Sequence, residues 1–171
     1  MKKIMSGLSV ITLILILTGC PLSHDFPIDE PSVNVDPQLY GKYRDENGKS
    51  NFDQMPSTLI IGAGTIYSYS VTESYSTLDS VGNTVPVRNE YTAHISKVKG
   101  INFVNVCEKG KTLYWFYKVE VKGSDLHITE VSCFGYGDDW VSENSKELKT
   151  FLTKYINDKR LYAGTFDLIR Q

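Results

Sequence analysis

"LIIGAGTIYSY", residues 59–69, decides the fold. An apolar run enters Gly62-Ala63-Gly64 much as a strand enters a dinucleotide-binding turn, which would make the chain an α/β protein. That fingerprint needs a third glycine three residues after the second, and Tyr67 stands there. It also needs a helix whose N-terminus faces the pyrophosphate. The chain continues instead as "TIYSYSVT", in which β-branched and aromatic residues recur at period two. The stretch therefore reads as a hairpin, with Gly62 and Gly64 as turn residues that tolerate positive φ. No nucleotide is expected here, and the chain is expected to be all-β.

The same alternation continues on both sides. Leu39 to Arg44 is a first short strand, "STLIIGA" a second and "TIYSYSVTESY" a third. "TVPVRNEYTAHISKV" places Val85, Val87, Tyr91, Ala93 and Ile95 on one face. Arg88, Glu90, Thr92, His94 and Ser96 fall on the other, which reads as solvated. "INFVNVC", "TLYWFYKVEV" and "LHITEVSCF" come next, separated by the turn-forming "EKGK" and "GSD". One helix is expected, capped by Asn144 with Glu147 three residues on. Leu148, Phe151, Leu152, Tyr155 and Ile156 form its apolar stripe. "LYAGTFDLIR" is an eighth strand. Eight strands with short connections and one late helix predict a closed up-and-down antiparallel barrel.

The first nineteen residues read as an export leader, with Lys2 and Lys3 before a short apolar run. The run is too short and wrongly flanked for a membrane-spanning helix. It ends in Leu17-Thr18-Gly19-Cys20, which resembles the lipobox of bacterial lipoproteins. The resemblance implies a diacylglycerol on the Cys20 thiol and cleavage just before it. In that family an Asp after the cysteine retains the protein at the inner membrane. Here the residue is Pro21, which implies the outer membrane of a two-membrane cell. "PLSHDFPIDEPSVNVDPQ", 21–38, has four prolines, four acidic residues and no apolar period. It reads as a flexible tether, leaving residues 39–171 as the domain.

About 150 residues lie beyond the leader, enough for one domain with its own core. Losing Lys2 and Lys3 from 18 basic residues, against 20 acidic ones, leaves a net charge of about −4. That weighs against nucleic acid, which requires a basic face, and no nucleic-acid partner is expected. Attachment to membrane falls to the lipid, since no polybasic stretch comes after Cys20. Cys107 and Cys133 would sit in an oxidising compartment. Their strands run the same way with one strand between them, about 9–10 Å apart, which favours buried thiols over a bridge.

At "DPQLYGKYR" the chain resembles the entry strand of lipocalin-like barrels, whose motif is Gly-x-Trp. Gly41-Lys42-Tyr43 has Tyr in place of Trp. The resemblance implies an Arg near the last strand stacked over that ring, and Arg170 in "DLIRQ" is placed to supply it.

No catalytic set emerges, so an enzyme is not expected. His94 and His127 read as surface residues and His24 falls in the tether; no Gly-x-Ser-x-Gly elbow is present. In "GYGDDWVSEN", Asp138, Asp139 and Glu143 offer oxygen donors of the kind calcium takes. Their spacing completes no loop motif, and carboxylates before a helix are favoured by its dipole alone. No metal or other cofactor is expected. Trp140, with Asp138 and Asp139, can instead mark a protein-contact surface. Tyr67, Tyr69, Tyr91, Trp115 and Tyr117 recur at positions expected to face inward, where they either line a ligand cavity or fill a solid core. Two functions are compatible with this pattern. One is a non-catalytic binding protein for a small apolar or amphipathic ligand; the other is a solid-cored module of the cell envelope that grips an envelope protein or inhibits a foreign enzyme.

Overall fold

The computed structural model describes residues 22–45 and 57–171, so the leader and Cys20 lie outside the described residues. Nine strands are present among them: β1 (Ser23–His24), β2 (Gly41–Asp45), β3 (Thr58–Thr65), β4 (Ser68–Leu78), β5 (Thr84–Val98), β6 (Ile101–Glu108), β7 (Tyr114–Lys122), β8 (Asp125–Val131) and β9 (Tyr162–Arg170). From β2 to β9 each strand pairs antiparallel with the next, and β9 returns to β2. The eight strands thus close the expected up-and-down barrel. The helix α1 (Ser145–Tyr155) precedes the last strand, also as expected.

Period-two alternation sorts the side chains. Tyr69, Val71, Ala93, Ile95 and Val119 pack inward. Outside, α1 lays Leu148, Phe151 and Leu152 against Val98, Phe103 and Phe116 of the wall. Its start bears out the capping expectation: the Asn144 side chain accepts from the Glu147 N–H at 3.1 Å, and the Glu147 carboxylate accepts from the Glu143 N–H at 2.9 Å.

The supposed tether is part of the domain. Leu22 and Ile28 are fully buried in the outer core. The Leu22 N–H donates to the Val131 carbonyl at 2.9 Å, and β1 pairs with Tyr114 and Trp115 of β7. That is the stretch of β7 beyond its ladder with β8, which ends at Tyr117 and Glu130. Ile28 N–H then donates to Asn105 Oδ1 at 2.7 Å, Val35 N–H to the Ile66 carbonyl at 3.0 Å, and Asp36 N–H to the Tyr69 hydroxyl at 2.7 Å. The segment runs down the outside of the barrel and crosses under one end before entering β2. Each fully buried Leu or Ile contributes about 1.5–3 kcal/mol, and with the hydrogen bonds above and the packing of Phe26, Val33 and Val35 this offsets the cost of ordering the segment.

This segment also corrects two histidines. His94 is buried, not solvated, because residues 28–30 cover the lower half of the outer face of β5. Its Nε2 lies 2.8 Å from the Asp29 carbonyl. His24, expected in a loose tether, stacks on Phe26 with ring centroids 4.8 Å apart and lies 6.2 Å from Trp140. His127 stays on the outer face, beside Asp167.

The opening hairpin is real, but its glycines are not the turn. Gly62 and Gly64 lie within β3, and Ile66 and Tyr67 form the two-residue turn. Neither glycine has a positive φ. Gly64 sits where the ladder slips between Ala63 and Thr65, and a Cβ there would stand 2.9 Å from the Ser68 carbonyl oxygen. Glycine is required for close approach at a bulge.

Candidate functional site: an apolar cavity with an acidic end

The barrel encloses a cavity of about 670 Å³. One end is stopped. Tyr43, fully buried, packs with Leu126 and Leu168, and its hydroxyl donates to the Leu39 carbonyl at 3.0 Å. Behind it, the Arg170 guanidinium carbon lies 6.0 Å from the Tyr43 ring centroid. The expected closure pair is therefore in contact.

The middle of the cavity is apolar, walled by Val71, Ala93, Ile95, Val104, Val106 and Ile128. Of the five aromatic residues expected to face inward, Tyr69, Tyr91, Trp115 and Tyr117 border it. Tyr67 does not. It occupies the β3–β4 turn, just past the last ladder pair Thr65–Ser68, and is 38% exposed.

Alternation also brings Asp45, Glu73 and Glu130 to the lining, which the sequence reading missed. The signal was present: Tyr43–Asp45, Tyr69–Val71–Glu73 and Leu126–Ile128–Glu130 each continue an inward series by one step of two. Asp45 pairs with Leu168, beside Tyr43, whereas Glu73 and Glu130 lie toward the opposite end. There the Tyr91 hydroxyl donates to Glu73 Oε2 at 3.0 Å, and Glu130 pairs with Tyr117 across the β7–β8 ladder. Burial raises the Glu130 carboxyl above its ordinary range. Tyr117 is pushed up to about 12 by burial first, then by the charges of Glu130 and Glu73. Tyr91 is raised by burial and by Glu73. No Lys, Arg or His borders the cavity among the described residues. Its charge is of one sign.

The other candidate groups lie elsewhere. Trp140 is half-buried and packs against the outer core, leaving Phe134 and Val141 as the exposed apolar residues near it. The side chains of Asp138 and Asp139 lie outside the described residues. Cys107 and Cys133 are both buried and are not bridged to each other. Among the described residues no cluster of three or more His, Cys, Asp or Glu side chains could hold a metal ion, and no helix is long and apolar enough to cross a membrane. A groove of about 570 Å³ along α1 is bordered by helix-surface residues such as Lys146, Thr150 and Lys154, and is not connected with the barrel interior.

Fold and site define a closed eight-stranded antiparallel barrel around an apolar, acid-ended cavity. Comparison of the chain with known protein families, with curated proteins and with solved structures finds no match.

Proposed function

We propose that the protein is a non-catalytic binding protein, anchored to the outer membrane by lipid on Cys20, whose barrel holds a small apolar or amphipathic molecule. The cavity carries the reading. Its volume of about 670 Å³ lies within the range of about 300–1,000 Å³ usual for ligand pockets, and its walls are mostly aliphatic and aromatic. Ser57 borders it, but no histidine does among the described residues, so no hydroxyl there has an imidazole base. Anchorage is supported by Leu17-Thr18-Gly19-Cys20. Only Pro21 separates Cys20 from Leu22, whose N–H is bonded to Val131 next to Glu130. A lipid two residues away, at most about 7 Å of chain, would hold the acidic end of the barrel near the bilayer. A molecule leaving the membrane would meet that end first.

The binding reading is preferred to the solid-core alternative, an interaction module, because Tyr69, Tyr91, Trp115 and Tyr117 border a cavity. Ligand titration tests the binding reading. In residues 20–171 carrying Cys20→Ser and Trp140→Phe, Trp115 is the sole tryptophan and it borders the cavity. Dodecanol or retinol should change its emission saturably. A flat response to both would overturn the binding reading.

A further inference from the structure

We propose that the cavity selects a cationic amphiphile, an alkyl chain bearing an amine, over the corresponding carboxylic acid. The proposal rests on the binding reading above and adds the headgroup charge. A cavity for fatty acids would place a basic or strongly donating group where the carboxylate ends. This one has in its lining Glu73, which accepts from the Tyr91 hydroxyl, and Glu130, which stands opposite Tyr117 in the β7–β8 ladder.

Glu73 and Glu130 share the cavity lining with no Lys, Arg or His among the described residues. The nearest lysine in the β7 ladder, Lys118, faces outward and pairs with Glu120 at 2.6 Å. Arg44, between Tyr43 and Asp45 on β2, is exposed on the outer face. Within a low-dielectric barrel, unscreened carboxylates repel an incoming anion and attract an ammonium much more strongly than they would in water. The Tyr91 hydroxyl already donates to Glu73, and Tyr117 stands opposite Glu130, so an amine would find acceptors with few competing donors.

Dimensions agree with a lengthwise chain. From Leu126 at the stopped end to Glu130 is four residues of β8, roughly 13 Å. An alkyl tail toward Tyr43 and an ammonium among Glu73 and Glu130 would match apolar to apolar and cation to anion.

Three probes with one chain length separate the claims: dodecylamine, dodecanol and dodecanoic acid, titrated at neutral pH into the Cys20→Ser, Trp140→Phe chain. The amine should bind at least tenfold more tightly than the acid, with the alcohol between. Adding Glu73→Gln and Glu130→Gln keeps an acceptor for Tyr91 and should narrow the amine-to-acid ratio at least tenfold while leaving the alcohol within about twofold. Acid binding as tight as amine binding, with the alcohol also bound, overturns the charge selection and leaves the binding reading intact. An amine preference unchanged in the double variant overturns the role of these two carboxylates. Binding of none of the three overturns the cavity reading itself, and this proposal with it.

Discussion

Arg170 pairs with Tyr43 across β2 and β9, and its guanidinium carbon stands 6.0 Å from the centroid of the Tyr43 ring. The same guanidinium donates to the Tyr40 carbonyl at 2.6 Å and the Gln38 carbonyl at 3.2 Å. One side chain thus ties the last strand to the turn that precedes the first barrel strand. Arg170→Met should cost about 1–2 kcal/mol, from the cation–π contact and the two exposed hydrogen bonds. Tyr43→Ala, which empties a fully buried aromatic site, should cost about 3–5 kcal/mol. Urea denaturation of both variants measures the difference; equal small losses would mean the barrel does not depend on this plug.

Two glycines two residues apart should behave oppositely. A Cβ at Gly64 would meet the Ser68 carbonyl at 2.9 Å, whereas one at Gly62 would meet nothing within 4 Å. Gly64→Ala should destabilise by about 1–3 kcal/mol. Gly62→Ala should be neutral or stabilising by up to about 1 kcal/mol, since its backbone φ suits any residue. Thermal melts of the pair decide whether close approach or turn geometry put the glycines there.

Asn105 is fully buried and links three elements. Its Oδ1 accepts from Ile28 N–H, and its Nδ2 donates to Ser96 Oγ at 2.9 Å and to the His94 carbonyl at 3.3 Å. Asn105→Leu should cost about 1–3 kcal/mol by leaving the Ile28 donor unsatisfied. Hydrogen exchange should show the Ile28 amide protected in the native chain and fast in the variant. A fast Ile28 amide in the native chain would restore the tether that the sequence suggested.

Burial lowers the His94 pKa below its ordinary 6.5, against opposing contributions from the Asp29 carbonyl and the Asp29 and Glu30 charges. The unfolded chain then binds a proton that the native chain does not, over a window that begins near 6.5 and extends downward. Stability contributed by neutral His94 is present above about pH 6.5 and lost as pH falls through that window. His24, also lowered by burial, adds in the same direction. Glu130, raised by burial, runs the other way at lower pH. Denaturation at pH 7.5 and 5.5 should therefore show a smaller loss on acidification in His94→Gln than in the native chain.

The strands and the helix were legible because each repeats one apolar period long enough to dominate its neighbours. Inward placement of Tyr69, Tyr91, Trp115 and Tyr117 came from the same parity. The N-terminal segment was not legible, since Leu22, Phe26, Ile28, Val33 and Val35 have no single period: each meets a different part of the barrel. His94 was misplaced for the same reason. Its face is polar in sequence, and only the segment folded over it makes it interior. Tyr67 failed because alternation does not mark the turn, which falls on Ile66 and Tyr67 and not on the glycines. Glu73 and Glu130 went unread because carboxylates on an apolar series look like strand ends, until closure turns them into a cavity wall.

Cavity occupancy is the central claim, and calorimetry of a neutral amphiphile tests it most directly. Ala93 borders the cavity and is 2% exposed, so Ala93→Leu fills space inside the barrel without touching the acidic end. Dodecanol should bind the Cys20→Ser chain, residues 20–171, at one molecule per barrel, and at least tenfold more weakly to the same chain carrying Ala93→Leu, whose melting temperature stays within a few degrees. Equal binding to both chains, or heat of dilution alone from the unfilled one, would contradict a ligand held inside the barrel.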